Sequence, residues 1–239
     1  MRVILSSIGL TLTALAASPA MADERSAGPV IVELFTAEGC GGCMSANEFA
    51  AELTEDAGVL VLTYGVGYWD FLGWPDHTAK PEFFDRQHEY AEWLPNERPY
   101  TPQMVVDGHV DQAGFNRDTV RRVIEFCRNH VQPDPTITVD RATGVVSVSL
   151  GEGPAPENAA DVWLVAFDPG AHAIEVGGGE NAGQTMTRHN VVTGVTRLGS
   201  WSGEAAAFEA PTLASDHGYA VLVQRAGQGA MIATGYVLP

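Results

Sequence analysis

Over the first half of the chain, short β-branched runs alternate with stretches of helical period. PVIVELFT at 29–36 is almost wholly apolar, the pattern of a strand buried on both faces. Gly39 to Gly42 interrupt it, and 44–53 then places Phe49, Ala50 and Leu53 on one helical face. VLVLTYGV, after Gly58, reads as a second buried strand. Phe83, Phe84, Tyr90, Ala91 and Leu94 recur at helical spacing, with Pro81 suited to a first turn and Pro95 ending the run. Pro102 leads into QMVVDGHVDQAGF, where Asp107-Gly108 signals a tight hairpin. Val120, Val123, Ile124 and Cys127 mark one face of a closing helix.

After Gln132-Pro133-Asp134-Pro135, a stiff and helix-hostile linker, the period changes to two. ITVD and VVSVSL flank a turn at 141–144, and VWLVAF, HNVVTGVTRL, YAVLVQR and AMIATGYVL supply further strands. No helical pattern intervenes, so this half reads as a small antiparallel β domain of sandwich type.

The amino terminus adds a different element. Met1-Arg2, an apolar run to Ala17, and Ala20-Met21-Ala22 have the three parts of a secretory signal peptide. The run is too short and too broken by Ser and Thr for a convincing membrane span, although an uncleaved anchor is the alternative. Cleavage after residue 22 leaves no further segment of spanning length, and places the protein in the periplasm or outside the cell. Losing Arg2 takes the formal net charge from −17 to −18. Such a surface repels nucleic-acid phosphate and anionic lipid, so nucleic acid is excluded as a favoured partner.

Three cysteines in an oxidising compartment are informative. Cys40-Gly41-Gly42-Cys43 carries the sharpest chemistry. A thiolate attacks disulfides, and the amino end of a helix favours the thiolate. Cys40 is therefore expected exposed, as the attacking sulfur, with Cys43 one turn inward to resolve the mixed disulfide. That role requires Cys40 to be reachable by another chain. An inert disulfide and half of a metal site remain alternatives. A four-residue loop is a weak staple, worth about 2 kcal/mol, and structural zinc needs four ligands. Cys127, on an apolar face, reads as an inert buried thiol.

The order strand–helix–strand–helix–hairpin–helix, with a CxxC opening the first helix, resembles thioredoxin over about 100 residues. The resemblance implies a cis Thr101-Pro102 against the cysteines, its backbone positioned to pair with a bound chain. It also implies a buried acid beneath them. Thioredoxins carry an aspartate six residues before the first cysteine; here that place is Leu34, and Glu33 stands beside it. Glu33 is either a proton shuttle for the inner thiol or a group facing a polar partner at the domain boundary. GYWDFLGWPDHTAK leaves the carboxyl end of the second strand, where sites form in open sheets. Its Tyr68, Trp69, Phe71 and Trp74 suit an apolar wall and Asp70 a polar contact, or the segment packs on itself.

PVIVELFTAEGCGGC, GYWDFLGW, YTPQMVVDG, GEN and HNVV together resemble the DUF1223 family, from about Pro29 to the carboxyl terminus. The family implies an exported thioredoxin-like protein without an assigned activity. Gly41-Gly42 and Met44 depart from its usual residues around the cysteines. The resemblance also directs attention to Glu180, Asn181, His189 and Asn190 as a loop facing the redox domain.

The expected layout is thus a leader over 1–22, an α/β thioredoxin-like domain over 23–131, and an antiparallel all-β domain over 136–239. The expected function is thiol–disulfide exchange with protein thiols or disulfides, needing no bound cofactor. The rivals are a soft-metal (copper) module on the same two cysteines and an interaction protein with a vestigial CxxC.

Overall fold

The computed structural model describes residues 28–96, 98–129, 135–142, 144–212, 214–227 and 229–239. The leader at 1–22 and residues 130–134, with most of the expected linker, lie outside them.

β1 (Val30–Thr36) is buried along its whole length, pairing in parallel with β2 (Val59–Gly65) and antiparallel with β3 (Gln103–Val106). Alternation along a strand sends neighbours to opposite faces. Val32 and Leu34 therefore pack on Phe49, Ala50 and Leu53 of α1 (Cys43–Thr54), and on Val120 and Ile124 of α3 (Arg117–Asn129). Ile31 and Phe35 face the other way, towards Phe83 and Tyr90 of α2 (Pro81–Trp93). Helices on both faces explain why β1 lacks the polar-out alternation of a half-exposed strand. α2 begins at Pro81, and Leu94, extended before Pro95, stops it.

β3 and β4 (Val110–Ala113) form the expected hairpin, with Asp107 and Gly108 at φ 47° and 61°. The turn is also bonded to its surroundings: Ile31 N–H donates to Asp107 Oδ1 (2.7 Å) and Met231 N–H to the Asp107 carbonyl (2.8 Å).

The second half consists of β5 (Ile137–Ala142), β6 (Val145–Leu150), β7 (Ala160–Glu175), β8 (Thr185–Trp201), β9 (Ala206–Pro211), β10 (Gly218–Gln224) and β11 (Met231–Val237). β5, β6 and β9 form a three-stranded antiparallel sheet. It packs Val146, Val148 and Leu150 against Val162, Leu164, Tyr219 and Val221 of β7 and β10. The remaining strands do not close a sheet of their own. They continue the first one, in the order β11-β10-β7-β8-β2-β1-β3-β4. The expected division near 131–136 is thus no break in the sheet. β8 joins β2 in parallel at Thr63–Val191. Asn190, at φ 49°, fastens the joint: its Nδ2 donates to the Val61 carbonyl (3.0 Å) and its Oδ1 accepts from Gly170 N–H (3.1 Å).

β7 and β8, of 16 and 17 residues, are far longer than the apolar runs that announced them. Their distal arms pair Ala171 with His189 through Glu175 with Thr185. The hairpin tip lies over the amino end of α1.

Candidate functional site around Cys40 and Cys43

After β1 the chain turns through Ala37, Glu38 and Gly39 into the CGGC segment. Cys43 N–H donates to the Cys40 carbonyl (3.0 Å), and Gly42 caps α1, whose first turn carries no acidic residue. Cys40 and Cys43 form a disulfide across this turn, their Cα atoms 5.4 Å apart. The Thr101-Pro102 peptide is cis, and a Cβ on Gly42 would stand 3.4 Å from Pro102 Cδ. Pro102 therefore lies directly on the CGGC turn. Thr101 Oγ1 accepts a hydrogen bond from Trp69 Nε1 (2.7 Å). The Pro102 carbonyl accepts from Gly114 N–H (2.9 Å).

One expectation is corrected. Cys40 was to be exposed, but it is only 2% exposed, and Cys43 is 0% exposed. The β7–β8 tip covers the segment through a 3-10 turn, Gly179–Asn181. Glu180 N–H donates to the Gly39 carbonyl (3.1 Å), and Gly41 N–H donates to Glu180 Oε2 (2.8 Å). Asn181 Nδ2 donates to the carbonyls of Glu38 and Cys40, both at 2.8 Å. The approach is close enough to demand glycine: Gly179 has φ 70°, and a Cβ there would stand 2.5 Å from Gly39 Cα. Only the connecting residues reach the surface, Gly41 half-buried and Gly42 exposed.

The 67–80 excursion flanks the same turn. Tyr68, Trp69 and Trp74 pack against the core cluster that holds both cysteines. Phe71, 78% exposed, stacks on Trp69. Asp70 serves the segment itself, its Oδ1 accepting from Asp76 N–H (3.0 Å).

Glu33 makes a buried ion pair. Its Oε1 accepts from Arg86 Nε (2.7 Å) and its Oε2 from Arg86 Nη2 (2.9 Å) and from the Tyr90 hydroxyl. Gln224 of β10 joins through Nε2 to the Tyr90 oxygen (2.9 Å). Glu33 thus faces polar partners where the halves meet.

His189 and Asn190 sit in β8 rather than in a loop, and serve the joint to β2: Thr63 Oγ1 donates to the His189 carbonyl (2.6 Å). Burial first, then His172, lower the His189 pKa against an opposing effect of Glu55. Of the four residues singled out by the family resemblance, Glu180 and Asn181 are the ones that hydrogen-bond to the CGGC segment. Cys127 is a free, half-buried thiol, raised to about 12 by burial and by Asp107.

Sequence reasoning missed a polar cluster beside the cysteines. Glu38, fully buried, accepts from Trp74 Nε1 (2.6 Å) and His77 N–H (3.0 Å), and its carboxylate lies 3.0 Å from His77 Nδ1. Asp76 Oδ2 accepts from Glu38 N–H (2.9 Å) and pairs with Arg188 Nη2 of β8 (2.5 Å). Burial pushes the Asp76 carboxyl up, but Arg188 and the donors from Glu38 and Thr78 outweigh it and hold it below its usual value. Glu38 could have been noticed two residues before Cys40; nothing in the sequence pointed to Arg188. Asn47, one turn beyond Cys43, donates to the Cys43 carbonyl (2.8 Å) and to Thr36 Oγ1 (2.8 Å), leaving its buried Oδ1 without a partner. Because a carbonyl only accepts, that contact fixes which amide atom is nitrogen.

Among the described residues no group of three or more His, Cys, Asp or Glu side chains is arranged to hold a metal ion. None of the described helices is long and apolar enough to cross a membrane.

Several solved chains resemble this one, two of them over 89% of its length. A protein of Agrobacterium tumefaciens superposes with a TM-score of 0.75 at 27% identity, over 89% of this chain and 95% of that one. HBP35 of Porphyromonas gingivalis gives 0.60 at 14% identity, over 89% and 75%, a likeness of fold alone. No curated protein matches the sequence. The family model described as protein of unknown function, DUF1223, matches residues 31–224, and the chain belongs to that family.

Proposed function

We propose that the protein is a thioredoxin-like thiol–disulfide oxidoreductase acting in the periplasm or outside the cell, and that Cys40–Cys43 is its exchanging disulfide. The observation that carries the reading is that disulfide's place across the turn that leads into α1, whose first residue is Cys43. A helix amino end stabilises the thiolate released when the bond opens. A bridge closing so short a loop adds about 2 kcal/mol of stability, which suits a switch better than a staple. The order β1-α1-β2-α2-β3-β4-α3, with Pro102 on the CGGC turn, supports the thioredoxin-like assignment. The charged start, apolar run and Ala20-Met21-Ala22 support export.

In the exchange, a partner thiolate attacks the Cys40 sulfur. The Cys40–Cys43 bond breaks, a mixed disulfide forms, and Cys43 leaves as a thiolate that takes up a proton. The partner's second thiol, losing its proton, then attacks its own sulfur in the mixed disulfide and releases Cys40. Two electrons have passed to this protein, and the partner holds a disulfide. The reverse sequence oxidises this protein and reduces the partner. In either direction the Gly179–Asn181 turn must lift, because it covers Cys40.

The test is equilibration of the purified protein in thiol–disulfide buffers, with free thiols counted by mass after alkylation. Cys40 and Cys43 should titrate reversibly as a pair, at a potential within roughly −270 to −120 mV. Turnover of a fluorescent disulfide should be lost in Cys40→Ser. The reading is overturned if the folded protein keeps its disulfide in excess dithiothreitol, or if wild type and Cys40→Ser are equally inactive.

A further inference from the structure

The carboxylate of Glu180 occupies an unusual position. It is brought from the far half of the chain, on a hairpin tip, and its Oε2 accepts the amide hydrogen of Gly41, between the two cysteines (2.8 Å). The amino end of a helix, with its unpaired N–H groups, favours an anion, and Glu180 supplies one. A Cβ on Gly41 would stand 2.7 Å from Glu180 Oε2, so the carboxylate lies against the backbone of the segment. When the disulfide opens, the Cys40 sulfur becomes a second anion at the same helix end. Two like charges sharing a site disfavour each other.

Resting on the exchange reading above, we infer that Glu180 is a positioning residue that competes with the Cys40 thiolate for the amino end of α1, restraining the reduced protein's reactivity.

The turn around Glu180 is fixed by other groups. Asn181 holds the carbonyls of Glu38 and Cys40, and Glu180's own amide holds Gly39. The charge on Glu180 is therefore not needed to keep the turn in place, which separates its electrostatic part from the structural part of Asn181. The neighbouring charged groups are already engaged. Glu38 is bonded to Trp74 and His77, Asp76 is paired with Arg188, and Asp70 accepts from the Asp76 amide. No acidic side chain stands in the first turn of α1, so no carboxylate of the helix itself acts beside Glu180 there. Glu180 is also exposed, so its influence on the sulfur is screened by salt.

The experiment measures the rate of alkylation of Cys40 against pH. The protein is first reduced with dithiothreitol, which gives two electrons to the Cys40–Cys43 bond and closes to its own cyclic disulfide. After the reductant is removed, iodoacetamide is added; the thiolate displaces iodide, and mass mapping reads the sites separately. Wild type is compared with Glu180→Gln, which keeps an acceptor oxygen and loses the charge, with Glu180→Ala, and with Asn181→Ala. In Glu180→Gln the midpoint of the profile should fall by roughly half a unit to one unit, and the difference from wild type should shrink in 1 M salt. Glu180→Ala should shift the midpoint in the same direction. Asn181→Ala, which loosens the turn carrying Glu180, should raise the rate at every pH, with a fall of midpoint smaller than in Glu180→Gln. A wild-type midpoint in both Glu180 variants overturns this inference and leaves the exchange reading standing. If the disulfide cannot be reduced in any of the folded proteins, both fall together.

Discussion

Among the described residues two ion pairs are buried where the halves of this molecule meet, and they do different work. Glu33–Arg86 lies between β1 and α2, closed off by Tyr90 and by Gln224 from β10. Asp76–Arg188 lies beside the cysteines, where Asp76 also accepts the amide of Glu38. Both pairs are almost wholly shut from water. The first binds a core. The second binds the long hairpin to the 67–80 segment, whose Asp76 also holds the amide of Glu38 just before the CGGC turn. Burial of charge thus serves packing in one place and placement of a cover in the other.

The largest expected effect comes from removing one cation. Arg86→Met and Arg188→Met each strand a buried carboxylate, and each should lower stability by about 3–5 kcal/mol in denaturant unfolding at neutral pH. Only Arg188→Met should also speed reduction of Cys40–Cys43 by dithiothreitol. Equal acceleration in both variants would show that loosening the core anywhere uncovers the sulfur, and the comparison would collapse.

Acid sharpens the same contrast. Asp76 is held below its ordinary pKa, so its pairing contributes stability above about pH 4 and loses it as pH falls through the native value. In Arg188→Met the stranded carboxyl is relieved by protonation. The stability gap between that variant and wild type should therefore narrow on acidification, as followed by unfolding at pH 7 and pH 3.

Smaller losses follow from single hydrogen bonds. Asn181→Ala forfeits two contacts to buried carbonyls and should cost about 2 kcal/mol, with faster dithiothreitol reduction as the second readout. Trp69→Phe removes the bond to Thr101 Oγ1 while keeping an aromatic ring, and should cost about 1 kcal/mol. It should leave the rate of reduction close to that of wild type, because Trp69 makes no bond to the covering turn.

Much of the helix-bearing half could be read in the sequence, because its signals are local. Pro81 and Pro95 bracket α2, Asp107-Gly108 makes a turn only such residues adopt readily, and Phe49 and Leu53 declare the buried face of α1. The second half was harder. β7 runs on through Asp168-Pro169-Gly170 by a shift of register, so a pair that usually ends a strand sits within one. β9, AAFEAP, has too little bulk to show its period. The joint of β8 to β2 is a single pairing point, Thr63–Val191, which no periodicity marks. At the site, the CGGC turn and Thr101-Pro102 were visible as motifs. Their cover was not, since the hydrogen bond from Gly41 to Glu180 crosses 139 positions of sequence. The expectation of an exposed Cys40 failed for that reason: it used the environment the local segment supplies and lacked the part that arrives from far along the chain.

The distal arms of β7 and β8 also act as a measuring rod. Each strand residue advances the chain by about 3.4 Å, so the arms' length decides where Glu180 and Asn181 land. Trimming two residues from each arm, Ala173-Ile174 and their partners Met186-Thr187, preserves which face every side chain occupies. It would draw the tip back by about 7 Å. Cys40 would then be laid bare although none of the atoms hydrogen-bonded to its segment had been replaced, a tuning of access by arithmetic rather than by chemistry.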